Sequence, residues 1–353
     1  MGARVDAVGA ELSPGGAEWV ARWWRGEAGV WGRALGWALA PAELAYRVVA
    51  RAYHSAYSRG FLQAASVGVS VLSVGNLVVG GSGKTPVTRW LVEQLLRRGA
   101  RPAVLHGGYA ADEPELHRVW NPEVPVLACR DRVAAARQAI AGGATVLVLD
   151  DGFQHRRLAR DVDVVLVPAE SWTRRPRLLP RGPWREPPRA LARARVVAVT
   201  RKVAGEESAA RVAREAAGFA PGAMVVRLRI EPAGWRLAGA ESAGGAPRGD
   251  VVAVAGIANP ELFLANAQAA GARIVDRLIF RDHHPYSPHD IARILELARG
   301  RPIVTTAKDA VKLRPLAEQL EVWVLEQRVV VEAGGELLGN LLDELVAGSA
   351  RGR

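Results

Sequence analysis

The chain has one cysteine, Cys129, in 353 residues. A single thiol closes no disulfide within the chain and builds no cysteine zinc site. Cys129 therefore reads as a small, half-buried strand residue, and a reducing compartment fits. The start lacks the order of basic, apolar and small residues that marks a cleaved leader, so none is expected. No apolar run reaches the roughly 20 uninterrupted residues that a spanning helix needs. There is no internal repeat and no recognisable nucleic-acid-binding module, so nucleic acid is not an expected partner. The guanine-specifying Asn/Thr-Lys-x-Asp pattern is also missing, because Lys308-Asp309 lacks the intervening residue.

What remains is ordinary globular composition. Apolar residues make up 49% and charged residues 24%, which argues against disorder. The length fits one large or two modest domains. The net charge of +11 favours anionic partners such as nucleotides or an acidic membrane face. An arginine-rich surface with no such partner is the other reading, and charge does not choose between them.

Residues 1–28, Gly- and Ala-rich without a clear period, are expected to be a poorly ordered N-terminus. Residues 29–62 carry Trp31, Trp37, Leu44, Val48, Val49, Tyr53 and Tyr57, interrupted by Arg33, Pro41, Glu43, Arg47 and Arg51. This pattern predicts amphipathic helices. Either they lie in a membrane interface, or they pack on the protein's own core. Beyond them, strand-like runs at 69–74, 103–105, 126–128, 145–149, 162–167 and 196–200 alternate with helical patterns at 87–98 and 131–140. Strands alternating with helices predict a parallel α/β sheet. The expected organisation is a kinase-like domain over 63–222, a β-rich linker over 223–250, and a smaller α/β domain over 251–353 that ends in a helix at 336–346.

The strongest local pattern is Gly80-Gly81-Ser82-Gly83-Lys84-Thr85, between the 69–74 strand and the 87–98 helix. A glycine-rich turn lets backbone N–H groups face phosphate oxygens, and the helix N-terminus adds its positive dipole end. Lys84 would reach the outer phosphates and Thr85 would hold Mg²⁺, so ATP and Mg²⁺ are the expected cofactors. Pro86 suits a first helical turn, which needs no N–H there. The glycine usual five residues before Gly83 is replaced by Val78, which makes this a variant loop. Downstream, the 145–149 strand ends in Asp150-Asp151. An acid at the carboxyl end of a neighbouring parallel strand is where a Mg²⁺-orienting carboxylate belongs.

The block Asp150-Asp151-Gly152-Phe153-Gln154-His155-Arg156-Arg157-Leu158 resembles the signature of the tetraacyldisaccharide 4'-kinases. Val74-Gly75-Asn76 through Pro86 is similar to that family's variant phosphate loop. Asp112-Glu113-Pro114, Leu179 to Pro183 with Arg185-Glu186-Pro187, Ala255-Gly256-Ile257 with Asn259-Pro260, Asp282-His283 and Thr306 to Lys312 follow in family order. The resemblance covers nearly the whole chain. It implies an α/β fold with a phosphate-loop NTPase-like parallel-sheet domain plus a second, smaller α/β domain. It also implies ATP-dependent phosphorylation of the 4'-hydroxyl of tetraacyldisaccharide 1-phosphate, a lipid A precursor, by a peripheral protein on the cytoplasmic face of the bacterial inner membrane. No obligate protein partner is expected. ATP and headgroup would meet in a cleft between the domains.

The resemblance also distributes roles. Asp112 and His283 would act together as the base, with Lys84 and Asp151 as further catalytic residues. Thr85, Asp150 and Glu113 would hold the metal. Asn76, Arg132, Gln154, His155 and Glu186 would bind substrate, with Arg181 and Arg185 as weaker candidates. One segment departs from the family: His106-Gly107-Gly108-Tyr109 stands where Ser-Arg-Gly-Tyr is typical, and the stretch from there to Ala111-Asp112 is short. Two alternatives stand beside the kinase: a phosphate-loop NTPase switch or assembly factor, and a catalytically degenerate nucleotide-binding paralogue.

Overall fold

The structure is a computed structural model, and it describes residues 16–108, 112–240 and 244–351. Three helices come first: α1 (Gly16–Trp24), α2 (Gly29–Ala38) and α3 (Ala40–Ser58). An alternating stretch follows: β1 (Ser70–Asn76), α4 (Lys84–Arg97), β2 (Pro102–His106), α5 (Asp112–Trp120), β3 (Val126–Ala128), α6 (Arg132–Ala141), β4 (Val146–Asp150), β5 (Val162–Pro168), β6 (Val196–Arg201), α7 (Glu206–Ala217) and β7 (Met224–Leu237). Then come β8 (Asp250–Ala255), α8 (Pro260–Ala269), β9 (Arg273–Ile279), α9 (Pro288–Ala298), β10 (Ile303–Thr306), two short helices α10 (Ala307–Ala310) and α11 (Arg314–Ala317), β11 (Val322–Ala333) and α12 (Gly335–Arg351).

The chain forms two compact units. The larger holds Gly26–Glu231 and Arg328–Arg353; the smaller holds Pro232–Gln327 together with the segment up to Arg25. In the larger unit the strands run β3-β2-β4-β1-β5-β6-β7, all parallel where they pair. Val146 to Leu149 of β4 is fully buried, as expected for a parallel strand covered on both faces. Alternate residues feed two cores. Val146 and Val148 join Leu72, Leu91, Leu95, Leu341 and Leu345 on the side of α4 and α12. Leu147 and Leu149 join Val71, Ala135 and Ala139 on the side of α6. The smaller unit repeats the scheme with strands β11-β10-β8-β9. Val252 and Val254 pack with Ile294 of α9, while Val251 and Ala253 pack with Phe263 and Leu264 of α8.

The expected α/β architecture is present, with three differences in its borders. Residues 16–24, expected to be poorly ordered, form a helix in which Trp19 and Trp23 stack at 6.0 Å and Trp23 is buried; residues 1–15 lie outside the described residues. The expected 223–250 linker contains β7, a 14-residue strand whose alternate residues Val226, Leu228 and Ile230 are buried. The expected C-terminal domain of 251–353 is divided. Its closing helix belongs to the larger unit, because Leu338, Leu341, Leu342 and Leu345 complete the core around α4. An apolar stripe shows that a helix needs a core, but not which core.

Candidate active site

Helix α4 begins straight out of the phosphate loop. Gly83 is its N-cap at φ +87°, a left-handed conformation that glycine adopts without steric penalty, and no side chain caps the helix. The first-turn N–H groups thus have no side-chain acceptor and favour an anion. Val87, Leu91, Val92 and Leu95 bury the helix's inner face and fix it in place. Each contributes roughly 1.5–3 kcal/mol of burial. The loop is tied down at several points. Asn76 Nδ2 donates to Ser82 Oγ (2.6 Å), Thr200 Oγ1 donates to the Ser82 carbonyl (3.2 Å), and Val79 N donates to the Pro183 carbonyl (2.7 Å).

The turn after β4 is pressed against the end of β1. A Cβ on Gly75 would lie 2.8 Å from the backbone nitrogen of Phe153, so only glycine fits. This close approach turns the two adjacent acids in opposite directions. Asp150 is buried, and both its oxygens are engaged: Oδ1 accepts from Thr88 Oγ1 (3.1 Å) and Oδ2 from His117 Nε2 (3.0 Å). His117 Nδ1 is buried without a hydrogen-bond partner, which places the ring proton on Nε2. Asp151, at φ +55°, faces the loop. Its carboxylate accepts from Arg185 Nη1 at 2.9 and 3.0 Å and lies 3.6 Å from Lys84 Nζ. Burial pushes its pKa up, but the Lys84 and Arg185 cations outweigh this and hold it below the usual carboxylate value. Asp150, an expected metal ligand, joins α4 to α5, and Asp151 is the acid presented to Lys84.

Asp112 and Glu113 open α5, the helix that His117 fastens to Asp150. Asp112 is buried and accepts from Glu113 N (3.1 Å). His106 Nδ1 accepts from Gly108 N (3.2 Å), so its Nε2 carries the proton and faces Glu113 Oε2 at 3.0 Å. The histidine that departs from the family pattern therefore holds one of the expected metal ligands. Tyr109 and Ala111, on the same short stretch, lie outside the described residues.

The expected substrate residues divide into two groups. Asn76, Gln154 and Glu186 form one network: Gln154 Nε2 donates to the Asn76 carbonyl (2.9 Å) and to Glu186 Oε1 (3.1 Å). Glu186 is also paired with Arg193 at 2.7 and 2.9 Å and with His54 Nε2 at 3.1 Å. Burial, together with Arg193, Arg156 and Arg160, depresses the His54 pKa to about 4 against the pull of Glu186, so His54 is neutral at pH 7. The second group surrounds His155. Its pKa is depressed to about 4 by burial first, then by Arg132, Arg157 and Arg160. Arg132 is buried and donates to the Cys129 carbonyl (3.0 Å). The imidazole thus lies near three guanidiniums, of which Arg160 is paired with Asp163 at 3.1 Å, while Asp131 pulls its pKa the other way.

The smaller unit carries the other expected base. His283, at φ +60°, donates its backbone N–H to the Gly256 carbonyl (3.1 Å), and its Nε2 lies 2.9 Å from Lys308 Nζ. Asp309 is fully buried and accepts from Gly256 N (3.0 Å) and Thr306 Oγ1 (2.8 Å). Thus Lys308-Asp309 supports the loop that bears His283.

The expected N-terminal stretch has two faces, both within the larger unit. One is fastened inward: Glu43 Oε1 accepts from Leu178 N (2.9 Å), Tyr46 donates to the Arg185 carbonyl (3.0 Å), and Arg156 donates to the His54 carbonyl (2.8 Å). The other leaves Trp31, Trp37, Leu44, Val48, Val49 and Phe61 exposed, with Arg33, Arg47 and Arg51 also at the surface. Among the described residues, no helix is long and apolar enough to cross a membrane.

Sequence reasoning missed His117 and Lys202. His117 sits inside α5 without a motif around it. Lys202 Nζ lies 2.9 Å from the Gly81 carbonyl of the phosphate loop. Its signal was position: it follows β6, whose end lies on the loop.

Comparison with known proteins gives a consistent result. The family description tetraacyldisaccharide-1-P 4'-kinase matches residues 35–346. The tetraacyldisaccharide 4'-kinase of Anaeromyxobacter dehalogenans (strain 2CP-C) is 39% identical over 83% of this chain and 85% of its own length. That of Halorhodospira halophila is 36% identical, over 89% and 95%. Among solved structures, the crystal structure of LpxK from Aquifex aeolicus in complex with ATP is similar with a TM-score of 0.72 and 27% identity. It covers 88% of this chain and 99% of that one.

Proposed function

This chain belongs to the tetraacyldisaccharide-1-P 4'-kinase family, and on that premise we propose how its residues carry out the transfer. It is a kinase that phosphorylates the 4'-position of a lipid A precursor with ATP. The switch and degenerate-paralogue readings are not favoured: the family match spans nearly the whole chain, and Lys84, Thr85, Asp150, Asp151, Asp112 and His283 are all present.

The observation that carries the assignment of roles is Lys84 facing Asp151 beside the uncapped start of α4. The loop amides and α4 N-terminus bind the phosphates, and Lys84 neutralises charge on the transferred group. Asp151 orients Lys84, with Arg185 sharing its carboxylate. Thr85, Asp151 and Glu113 offer only hard oxygen donors, a set that suits Mg²⁺ completed by phosphate oxygens and water. Among the described residues no group of three His, Cys, Asp or Glu side chains could hold a metal ion. When bound, Mg²⁺ neutralises phosphate charge. Asp150 positions α4 and α5 and leaves cation binding to its neighbour.

Asp112 in the larger unit and His283 in the smaller are the residues that the family resemblance nominates for taking the proton from the acceptor hydroxyl. His155 with Arg132 binds the anionic headgroup, while Gln154, Glu186 and Asn76 hold that wall in shape. The exposed apolar face of α2 and α3 rests on the cytoplasmic face of the bacterial inner membrane. Its tryptophans and arginines suit headgroup depth.

The experiment is transfer of phosphate from radiolabelled ATP to tetraacyldisaccharide 1-phosphate in detergent micelles. Transfer by wild type that falls about 100-fold or more in Lys84→Ala and Asp112→Ala supports these roles. Transfer undiminished in either variant rejects that residue's role, and no transfer by folded, ATP-binding wild type rejects this acceptor.

A further inference from the structure

In the larger unit, β1 lies between β4 and β5, and β6 follows β5. The phosphate loop leaves the end of β1, so strand ends flank it on two sides. On the β4 side stands Asp151, which faces Lys84. On the β5–β6 side the loop meets the end of β6 at two successive carbonyls. Ser82 O accepts from Thr200 Oγ1, and Gly81 O accepts from Lys202 Nζ at 2.9 Å. The carbon stem of Lys202 also lines the loop: a Cβ on Gly83 would lie 4.0 Å from Lys202 Cε.

The turn that presents this lysine is held firmly. One carboxylate oxygen of Glu170 accepts from three consecutive backbone amides, Lys202 N at 2.6 Å, Val203 N at 3.0 Å and Ala204 N at 3.3 Å. Arg201 is clamped by the Glu332 carboxylate and donates to the Ala204 carbonyl at 3.1 Å. A short turn with its amides gathered on one acid and its arginine pinned has little freedom of its own. The long Lys202 side chain runs from this turn to the Gly81 carbonyl of the loop. Within its reach are the loop amides and the start of α4, where the phosphates of a nucleotide are bound.

We propose that Lys202 is a second phosphate-binding cation of this kinase, contacting the triphosphate chain of ATP from the β6 side while Lys84 contacts it from the β4 side. The proposal rests on the reading that ATP occupies the phosphate loop. A compact ammonium on a flexible stem suits this task, because it follows phosphate oxygens without demanding a fixed fork geometry.

The test uses the full chain with Lys202→Met, Lys202→Arg and, as reference, Lys84→Ala. Initial rates are measured with ATP varied at saturating lipid, and adenosine is tested as a competitive inhibitor. For Lys202→Met the expected result is a drop in kcat/KM for ATP of about tenfold or more, the size of one charge-assisted hydrogen bond. Adenosine inhibition and KM for the lipid stay within about twofold, and Lys202→Arg recovers most of the loss. A folded Lys202→Met variant with kcat/KM for ATP within about twofold of wild type overturns the proposal. So does equal weakening of ATP and adenosine, which marks a general loss of loop shape. Should Lys84→Ala leave ATP use unchanged, the phosphate-loop reading itself fails, whatever Lys202 does.

Discussion

Each unit has a buried carboxylate close to the carboxyl end of a parallel strand, Asp150 as the last residue of β4 and Asp309 in α10 directly after β10, but the neighbour of that carboxylate differs. In the larger unit Asp150 ties Thr88 of α4 to His117 of α5, and the next residue, Asp151, faces Lys84. In the smaller unit Asp309 ties the Gly256 amide to Thr306, and the preceding residue, Lys308, faces His283. Each pair places an anchor and a presented side chain one residue apart, where the backbone sends them to different surroundings. The larger unit presents an acid to a cation; the smaller presents a cation to an imidazole. In such a pair the anchoring residue should govern stability and its neighbour the chemistry.

The largest effects should come from breaking the anchors. Asp150→Ala leaves the Thr88 hydroxyl and the His117 ring buried without their acceptor. It should lower unfolding stability by about 3–5 kcal/mol. Asp309→Ala should cost about the same, since the Gly256 amide and Thr306 lose theirs. Urea denaturation followed by circular dichroism measures both, and a loss below about 1 kcal/mol in either would dissolve the likeness between the units. Asp151→Asn is the counterpart. It should leave stability within about 1 kcal/mol of wild type while slowing single-turnover phosphate transfer about 100-fold. A rate within threefold of wild type would remove Asp151 from the chemistry.

His117 sharpens the comparison, because it acts on Asp112 and Glu113 only through the helix they share. His117→Phe should lower kcat about 10- to 100-fold at nearly constant KM for ATP, and His117→Gln, which keeps an N–H donor, should recover most of it. A kcat equal to wild type in folded His117→Phe would make the Asp150 contact purely a matter of packing.

The smallest effect is in pH. His54 and His155 have folded pKa values near 4, below the 6.5 of an unfolded histidine. Between those values the unfolded chain binds more protons, so the stability from these neutral rings is complete above pH 6.5. It is lost as pH falls toward 4. Denaturation midpoints at pH 6.5 and 4.5 should differ less in His54→Gln than in wild type. An unchanged difference would count against a buried neutral His54.

Much of this site was legible in the sequence, because glycines, a lysine and strand-terminal acids occur at fixed spacing around one sheet. Phosphate loop, acid pair and alternating elements all stand where spacing and periodicity put them. The roles within the acid pair were not legible. Asp150 and Asp151 are identical in type, and only the left-handed backbone at Asp151 and the approach of Phe153 to Gly75 send them different ways. His117 and Lys202 were hidden for a related reason. Each acts across a distance in sequence, on Asp150 and on Gly81; no motif surrounds His117, and Lys202 is marked only by its place directly after β6. The membership of α12 was hidden as well, since an apolar stripe on a helix fits any open core.

That last feature bears on synthesis at the ribosome. The core around Leu72, Leu91 and Leu95 is built from residues made early in translation, yet it is lined by Leu338, Leu341, Leu342 and Leu345, among the last to be made. A chain elongates at roughly 5–20 residues per second. The larger unit must therefore wait for the whole smaller unit to be synthesised before its own hydrophobic interior can close. During that interval the smaller unit can already fold, and the apolar side of β1 and α4 stays open to chaperones. A stop codon just after β11 would remove no catalytic candidate, yet would leave the core of the larger unit without its final wall.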